Sequence, residues 1–303
     1  MDPLCIYHGN CADGFTSAWI VHLALKGQVE LYPATHGKPP PDVTGRLVIM
    51  VDFSYKKAVI ESMASQANMI IVLDHHATAV GELSGAVPLT TRWDLIKHMT
   101  IGTEQNNLFA LFDMTRSGAQ LTWDYFYPDE ERFALVDYVG DRDLWKFELN
   151  GSREVSEYLC SHDYDLTTWT ALVEELEDPT RVGQIIDIGA ALTKKHMKDI
   201  RELLAITRRT MIIGGQIVPV ANMSYIQASD AANLMSEGQP FAATYYDKPG
   251  SRVFSLRSKE HGSDVSKIAA YYGGGGHAHA AGFSAPEGWE GDIIDSGSLM
   301  DHL

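Results

Sequence analysis

The chain has 303 residues, 45% of them apolar and 21% charged, which excludes a disordered or low-complexity protein and leaves room for two ordinary domains, each with its own core. Lysine and arginine number 24 against 40 aspartates and glutamates, a formal net charge of -16. Such a chain repels polyanions at long range, which argues against a grip on long duplex DNA through its whole surface; a small anionic substrate stays open wherever bound divalent metal reverses the local field.

Three cysteines, Cys5, Cys11 and Cys160, form no C-x-x-C pair, a pattern expected of reduced thiols in a cytosolic compartment. The start at Met-Asp-Pro-Leu shows no basic, long-apolar signal segment, and no run approaches the roughly 18 to 20 apolar residues of a membrane span. The expectation is a cytoplasmic protein with no membrane partner.

In chain order, Leu4 to Tyr7 reads as a short apolar strand that ends in the polar loop His8-Gly-Asn-Cys-Ala-Asp-Gly14, followed by an amphipathic helix over 15–25. Val29 to Tyr32 is a second strand, and Pro39-Pro40-Pro41 breaks the chain. Arg46 to Val51 is a third strand running into Asp52; a helix over 55–67 follows; Met69 to Leu73 is a fourth strand running into Asp74-His75-His76. Continuous apolar strands separated by helices predict a parallel sheet covered on both faces, and ligands of such sheets sit beyond the carboxyl ends of the strands. Residues 77–106 read as a variable loop region, Asn107 to Phe112 as a strand, Arg116-Ser-Gly-Ala119 as a helix start, and Glu130 to Tyr138 as a helix leading to Gly140-Asp-Arg-Asp143.

Residues 151–210 read as mainly helical, with a long connecting helix over 183–210 whose apolar residues recur at helical spacing. The period then changes: a hairpin around Gly214-Gly215, a helix over 229–236, strands at Phe241 to Tyr246 and Arg252 to Leu256, and a short helix over 264–271 that ends in the run Gly273-Gly-Gly-Gly-His-Ala-His-Ala-Ala-Gly-Phe283. The fold class expected is α/β: a parallel-sheet N-terminal domain over 1–185, a helical connector over 186–210, and a smaller α/β domain over 211–303.

The strand ends gather His8, Asp13, Asp52, Asp74, His75, His76, Asp141 and Asp143. Any one aspartate serves as readily to cap a helix or turn. An adjacent Asp-His-His at a strand end resists that reading, and the set together fits hard-cation ligation by carboxylates with imidazole alongside. In the second domain, the four glycines from Gly273 to Gly276 leave backbone N–H groups open to close approach by an anion, His277 adds a donor, and Arg257 is the cation best suited to a bidentate phosphate contact.

These motifs, in this order, resemble the DHH-family phosphoesterases with their associated C-terminal Gly-Gly-Gly-His domain, among them RecJ-type exonucleases and nanoRNase or oligoribonuclease-like phosphodiesterases. The resemblance covers almost the whole chain and rests on Asp74-His75-His76 after an apolar strand, Val51-Asp52 one strand earlier, and Gly273 to Phe283. It implies that His8, Asp13, Asp52, His75 and Asp141 bind metal, with Asp52 bridging. It also implies that Asp74 supports the histidines, that His76 lies near the substrate phosphate, and that Arg257, Gly274, Gly275, Gly276 and His277 hold the substrate. The implied cofactor is a pair of Mn2+ ions, with Mg2+ or Zn2+ as alternatives.

One position departs from the family pattern. RecJ-type members read Asp-x-Asp-Gly in the first motif, whereas this chain reads Cys11-Ala12-Asp13-Gly14. Either Cys11 is itself a ligand, which favours softer metals, or Asn10 substitutes, or one metal subsite is weak. The reaction implied is hydrolysis of phosphodiester or phosphate-ester bonds in short nucleotidic substrates: short single-stranded oligonucleotides, dinucleotides or nucleoside phosphates. A polyphosphatase or pyrophosphatase is the second enzyme reading, and a non-catalytic nucleotide-binding relative the third.

Overall fold

A computed structural model of the chain describes residues 3–83, 85–89 and 107–293. The chain divides into two compact units, Met1–Thr193 and Lys194–Leu303.

The first unit is built on six parallel strands. β1 (Leu4–His8), β2 (Glu30–Ala34), β3 (Leu47–Val51), β4 (Met69–Asp74), β5 (Val87–Pro88) and β6 (Leu108–Phe112) lie in the order β2-β1-β3-β4-β6-β5. The strand pattern explains the layers. Alternate residues of a strand face opposite sides, and here both sets are apolar. Cys5, Tyr7, Ile49, Val51, Ile71 and Leu73 enter one core; Leu4, Ile6, Val48, Met50, Ile70 and Val72 enter the other.

The helices of this unit are α1 (Ala12–Ala24), α2 (Lys57–Ala64), α3 (Ala77–Glu82), α4 (Gly118–Phe126), α5 (Ala134–Asp143), α6 (Ser152–Cys160) and α7 (Leu166–Glu177). Helix α1 is locked to α7 by two reciprocal indole bonds, Trp19 Nε1 to Thr170 Oγ1 and Trp169 Nε1 to Thr16 Oγ1, each 3.1 Å. The loop region expected over 77–106 contains α3 and the short β5; its residues 84 and 90–106 lie outside the described residues. The helix expected over 130–138 is shifted to Ala134–Asp143 and runs through Gly140. There a Cβ would lie 2.5 Å from the Gln120 side chain of α4, so glycine lets the two helices close.

Helix α8 (Pro179–Thr207) carries the chain from one unit into the other. It starts four residues before the expected position. Asp178 accepts from the Thr180 amide at 2.9 Å and hydroxyl at 2.7 Å, and Pro179 fills the first turn, where its missing N–H costs nothing. In the second unit β7 (Arg208–Ile213), β8 (Gln216–Asn222), β9 (Ala242–Lys248), β10 (Ser251–Arg257), β11 (Gly275–His277) and β12 (Ala280–Pro286) form one mixed sheet ordered β11-β12-β10-β9-β8-β7. All its pairings are antiparallel except β8 with β9, which are joined through α9 (Ala228–Met235). Helix α10 (Val265–Tyr271) packs on the face that carries Phe254 and Phe283. Among the described residues no helix is long and apolar enough to cross a membrane.

Candidate metal centre

The order β2-β1-β3 places a change of winding direction between β1 and β3, where an open α/β sheet leaves a crevice at its carboxyl edge. His8 ends β1, Asp52 follows β3 directly, and Asp74-His75-His76 close β4, so three neighbouring strands deliver the motif residues to that edge. The backbone is shaped to aim them. Asn10 and Asp52 hold left-handed φ angles of 57° and 52°, a conformation that Asn and Asp tolerate better than most residues. Gly14 has no room for a side chain, because a Cβ there would collide with the His8 carbonyl oxygen.

His75 sits at the centre. Its Nε2 is 3.1 Å from Asp52 Oδ1, 3.5 Å from Asp143 Oδ2 and 3.7 Å from Asp13 Oδ2. Asp13, Asp52 and His75 are all buried, and one ligand atom from each lies within 4.8 Å of the others. His8, Cys11 and Asp52 form a second such group sharing the Asp52 carboxylate, with His8 Nδ1 3.6 Å from Asp52 Oδ2. Asp74 organises its neighbours: its Oδ1 accepts from the His75 amide at 2.8 Å and the His76 amide at 3.2 Å, and pairs with His76 Nδ1 at 2.7 Å.

The charges are unbalanced. Burial and the neighbouring Asp52 and Asp143 carboxylates push the Asp13 carboxyl well above its usual range. Burial, then the same three carboxylates, push the Cys11 thiol up. Burial opposes a charged His75, but the Asp52 bond and the charges of Asp143 and Asp13 overcome it and hold the imidazole at about 10. Asp52 Oδ2 is buried with no hydrogen-bond partner among the described residues. Three carboxylates gathered on one imidazole, with an Asp52 oxygen short of a donor, is an arrangement that a divalent cation satisfies more fully than the nearby histidines.

Two sequence expectations change. Asp141 does not reach this cluster: its Oδ1 accepts from the Glu148 amide at 3.0 Å and its Oδ2 from the Leu149 amide at 3.2 Å, tying down the loop after α5. Asp143, left without a metal role by the resemblance, is the member of the pair that faces His75. Residues two apart on a helix point away from each other, so one of the pair had to turn from the site. The second change concerns the Ser117-Gly118 helix start, which carried no assigned role. The Gly118 and Ala119 amides at the N-terminus of α4 donate to the two Asp13 oxygens at 2.7 and 2.9 Å. A Cβ on Gly118 would lie 2.5 Å from Asp52 Cβ and 2.9 Å from Asp13 Oδ2. Ser117 and Gln120 cap the helix reciprocally and hold those amides in place.

Sequence reasoning also passed over His36, in the loop after β2. Its ring packs on Phe53 with centroids 4.6 Å apart and lies 5.6 Å from the His8 ring. Burial, then the charges of His8 and His76, hold it down to about 4, so it is neutral at pH 7. An isolated histidine among prolines and glycines carries no motif; only the return of β2 beside β1 brings it near.

In the second unit, Arg257 and His277 are each paired in register with Ala280 from opposite sides, so β10 and β11 present both on one face at the same end of the sheet. The Arg257 guanidinium donates to Ser229 Oγ at 2.7 Å and to its neighbour's carbonyl, Leu256 O, at 2.8 Å. The glycine run lies partly in a strand. Gly275 and Gly276 are strand residues paired with Gly282 and Ala281. A Cβ on Gly274 would collide with the Gly282 carbonyl oxygen, and one on Gly276 would lie 2.5 Å from that of Ala280. These glycines permit close strand packing; β11 is also the sheet's edge strand.

No protein-family model matches the chain. It is similar to the uncharacterized protein R106 of Acanthamoeba polyphaga mimivirus, 29% identical over 92% of this chain, and spans 66% of that relative's length. Among solved structures it is similar to the DHH domain of a member of a ribosomal protein family, 12% identical over 94% of this chain and 82% of the other, with a TM-score of 0.52. It is also similar to the pGpG-specific phosphodiesterase PggH of Vibrio cholerae, 13% identical over 94% of each chain, with a TM-score of 0.45. In its fold the chain is of the DHH type: a parallel α/β sheet followed by a mixed-sheet unit.

Proposed function

We propose that the chain is a metal-dependent phosphoesterase of the DHH type that hydrolyses phosphodiester bonds in short nucleotidic substrates. The observation that carries this reading is the buried group Asp13, Asp52 and His75, with ligand atoms within 4.8 Å of one another and the Asp52 Oδ2 oxygen without a hydrogen-bond donor among the described residues. The fold it shares with a DHH domain supports the same reading.

His75, Asp13, Asp52 and Asp143 would hold one divalent ion, for which Mn2+ suits the oxygen and nitrogen donors; His8, Cys11 and Asp52 would hold a second, where the sulfur shifts the preference toward a softer ion such as Zn2+. When bound, such ions lower the pKa of water and neutralise charge on phosphorus-bound oxygens. The chain supplies the rest. The α4 amides fix Asp13 so that its carboxylate stays in one rotamer. Asp74, paired with Nδ1 of His76, orients that ring and favours its charged form against the opposing effect of burial, so that the imidazolium would stabilise a substrate phosphate. A decayed, purely binding relative would be expected to have lost several of these groups, whereas Asp13, Asp52, Asp74, His75, His76 and Asp143 are all in place. In the second unit, Arg257 and His277 share one face and would bind a phosphate-bearing group there.

The test is a substrate panel with the purified full chain and Mn2+: dinucleotides, 5-mers, long single strands and polyphosphate, with Asp52→Asn as control. Release of mononucleotides from the short substrates, abolished in Asp52→Asn, is expected. Turnover of polyphosphate alone would replace this reading with a polyphosphatase.

A further inference from the structure

Immediately beyond Asp143 the chain does something costly. Trp145 and Phe147 both hold left-handed φ angles, 58° and 54°. For bulky residues this conformation is a true outlier, and it persists only when the surroundings over-determine it. They do so here. The Asp141 carbonyl oxygen accepts from the Lys146 amide at 2.9 Å and the Phe147 amide at 3.4 Å, and the Asp141 carboxylate takes the next two amides. The result is a pair of half-buried rings set edge to face, with centroids 5.1 Å apart. Two cations lie against them. The Arg142 guanidinium is 4.2 Å from the Trp145 centroid, and that of Arg153, in the first turn of α6, is 3.6 Å from the Phe147 centroid.

Packing alone does not call for this device. A loop between two helices is closed with less strain by glycine or asparagine at left-handed positions. Nor do the two arginines follow from the composition, in a chain with 24 basic residues against 40 acidic ones. Arg142 directly precedes Asp143, a carboxylate of the candidate metal centre, and Trp145 lies two residues beyond it. Planar rings layered with guanidinium groups are the surface on which unpaired bases stack, and the cations favour an adjacent phosphate.

We propose that Trp145 and Phe147, with Arg142 and Arg153, form a stacking platform for a nucleobase of the substrate beside the metal centre. The proposal rests on the phosphoesterase reading and deepens it: the substrate carries a base, and the site reads it by its flat face rather than its edge. It follows that bases are accepted with little sequence preference, because every base offers a π-face.

The experiment is calorimetric binding of AMP and of ribose 5-phosphate to the full chain in the presence of Mn2+, alongside hydrolysis of a dinucleotide and its abasic analogue. AMP is expected to bind at least tenfold more tightly than ribose 5-phosphate. Trp145→Ala should weaken AMP by about fivefold to a hundredfold and leave ribose 5-phosphate unchanged. Trp145→Phe should retain most of the affinity, and Phe147→Leu, which keeps bulk without a π-face, should lose part of it. Equal affinities for the two ligands, or AMP binding that survives both Trp145→Ala and Phe147→Leu, would overturn the platform. Base-dependent binding without dinucleotide hydrolysis would sink only the phosphoesterase reading; hydrolysis indifferent to the base would sink only the platform.

Discussion

At the scale of single residues, Asp141 and Asp143 show how two identical side chains two positions apart divide into different tasks. Asp141 is a charge-assisted acceptor for two backbone amides. Despite the opposing effect of burial, its bonds to Ser152 and to the Glu148 and Leu149 amides hold the carboxyl below the ordinary range. A depressed folded pKa contributes stability that is present above the unfolded value of about 3.9 and lost as pH falls through the folded value. Asp141→Asn should therefore cost about 1–3 kcal/mol at pH 7, with the gap from wild type closing as pH falls below about 4; denaturant melts across pH measure it. Asp143→Asn should do the reverse: little change in melting, but Mn2+ affinity reduced by tenfold or more in calorimetric titration. Equal effects of the two substitutions would return Asp141 to the metal site. Cys11 is the other residue to interrogate. Its sulfur falls within ligand distance of His8 and Asp52 atoms, and thiolate is a softer donor than carboxylate. Cys11→Asp should raise activity with Mn2+ or Mg2+ relative to Zn2+, and Cys11→Ser should change that ratio less. Identical metal profiles for wild type and both variants would mean that the sulfur only packs.

At the scale of elements, helix α4 is the part of the site most dependent on close approach. Its N-terminus presses two amides onto Asp13 and its first residue onto Asp52, with only a hydrogen in between. Gly118→Ala must move either the helix or the two carboxylates by several tenths of an ångström. The expected result is destabilisation of about 1–3 kcal/mol together with loss of Mn2+ binding, read by thermal melting and titration on the same samples. A variant that melts lower but binds Mn2+ normally would show that the amide clamp is dispensable. This contact also marks where the sequence stops being legible. Strands β1, β3 and β4 are unbroken apolar runs that stop at His8, Asp52 and Asp74, so the sheet and the edge that gathers these residues could be read directly. The Gly118 clamp could not, because it joins residues 105 apart through backbone atoms that carry no side-chain signal. The choice between Asp141 and Asp143 depended on the phase of α5, whose start lay four residues beyond its expected position. The glycine run carries no strand signal of its own; its strand emerges only from the register with Gly282 and Ala281.

At the scale of the whole molecule, the charge of -16 bears on substrate length under the proposed phosphoesterase reading. Proteins that grip nucleic acid through basic surfaces lose affinity as salt rises, because binding releases counterions. An acidic chain that binds its anion only through the proposed metal cluster and a few arginines would face the opposite balance. A short substrate meets mainly the locally favourable field. Each added nucleotide of a longer strand extends over a surface where acidic groups outnumber basic ones, and the repulsion grows with length. Salt screens that repulsion over about 10 Å at 0.1 M, whereas contacts held directly by bound metal are screened far less. The ratio of kcat/KM for a 5-mer to that for a 30-mer single strand should therefore be large at low salt and shrink as salt rises, with the 30-mer rate increasing in absolute terms. Measuring both rates from about 20 to 300 mM salt tests this. A 30-mer rate that falls with salt, as for a basic exonuclease groove, would show that a local positive path outweighs the net charge and that long single strands belong among the substrates.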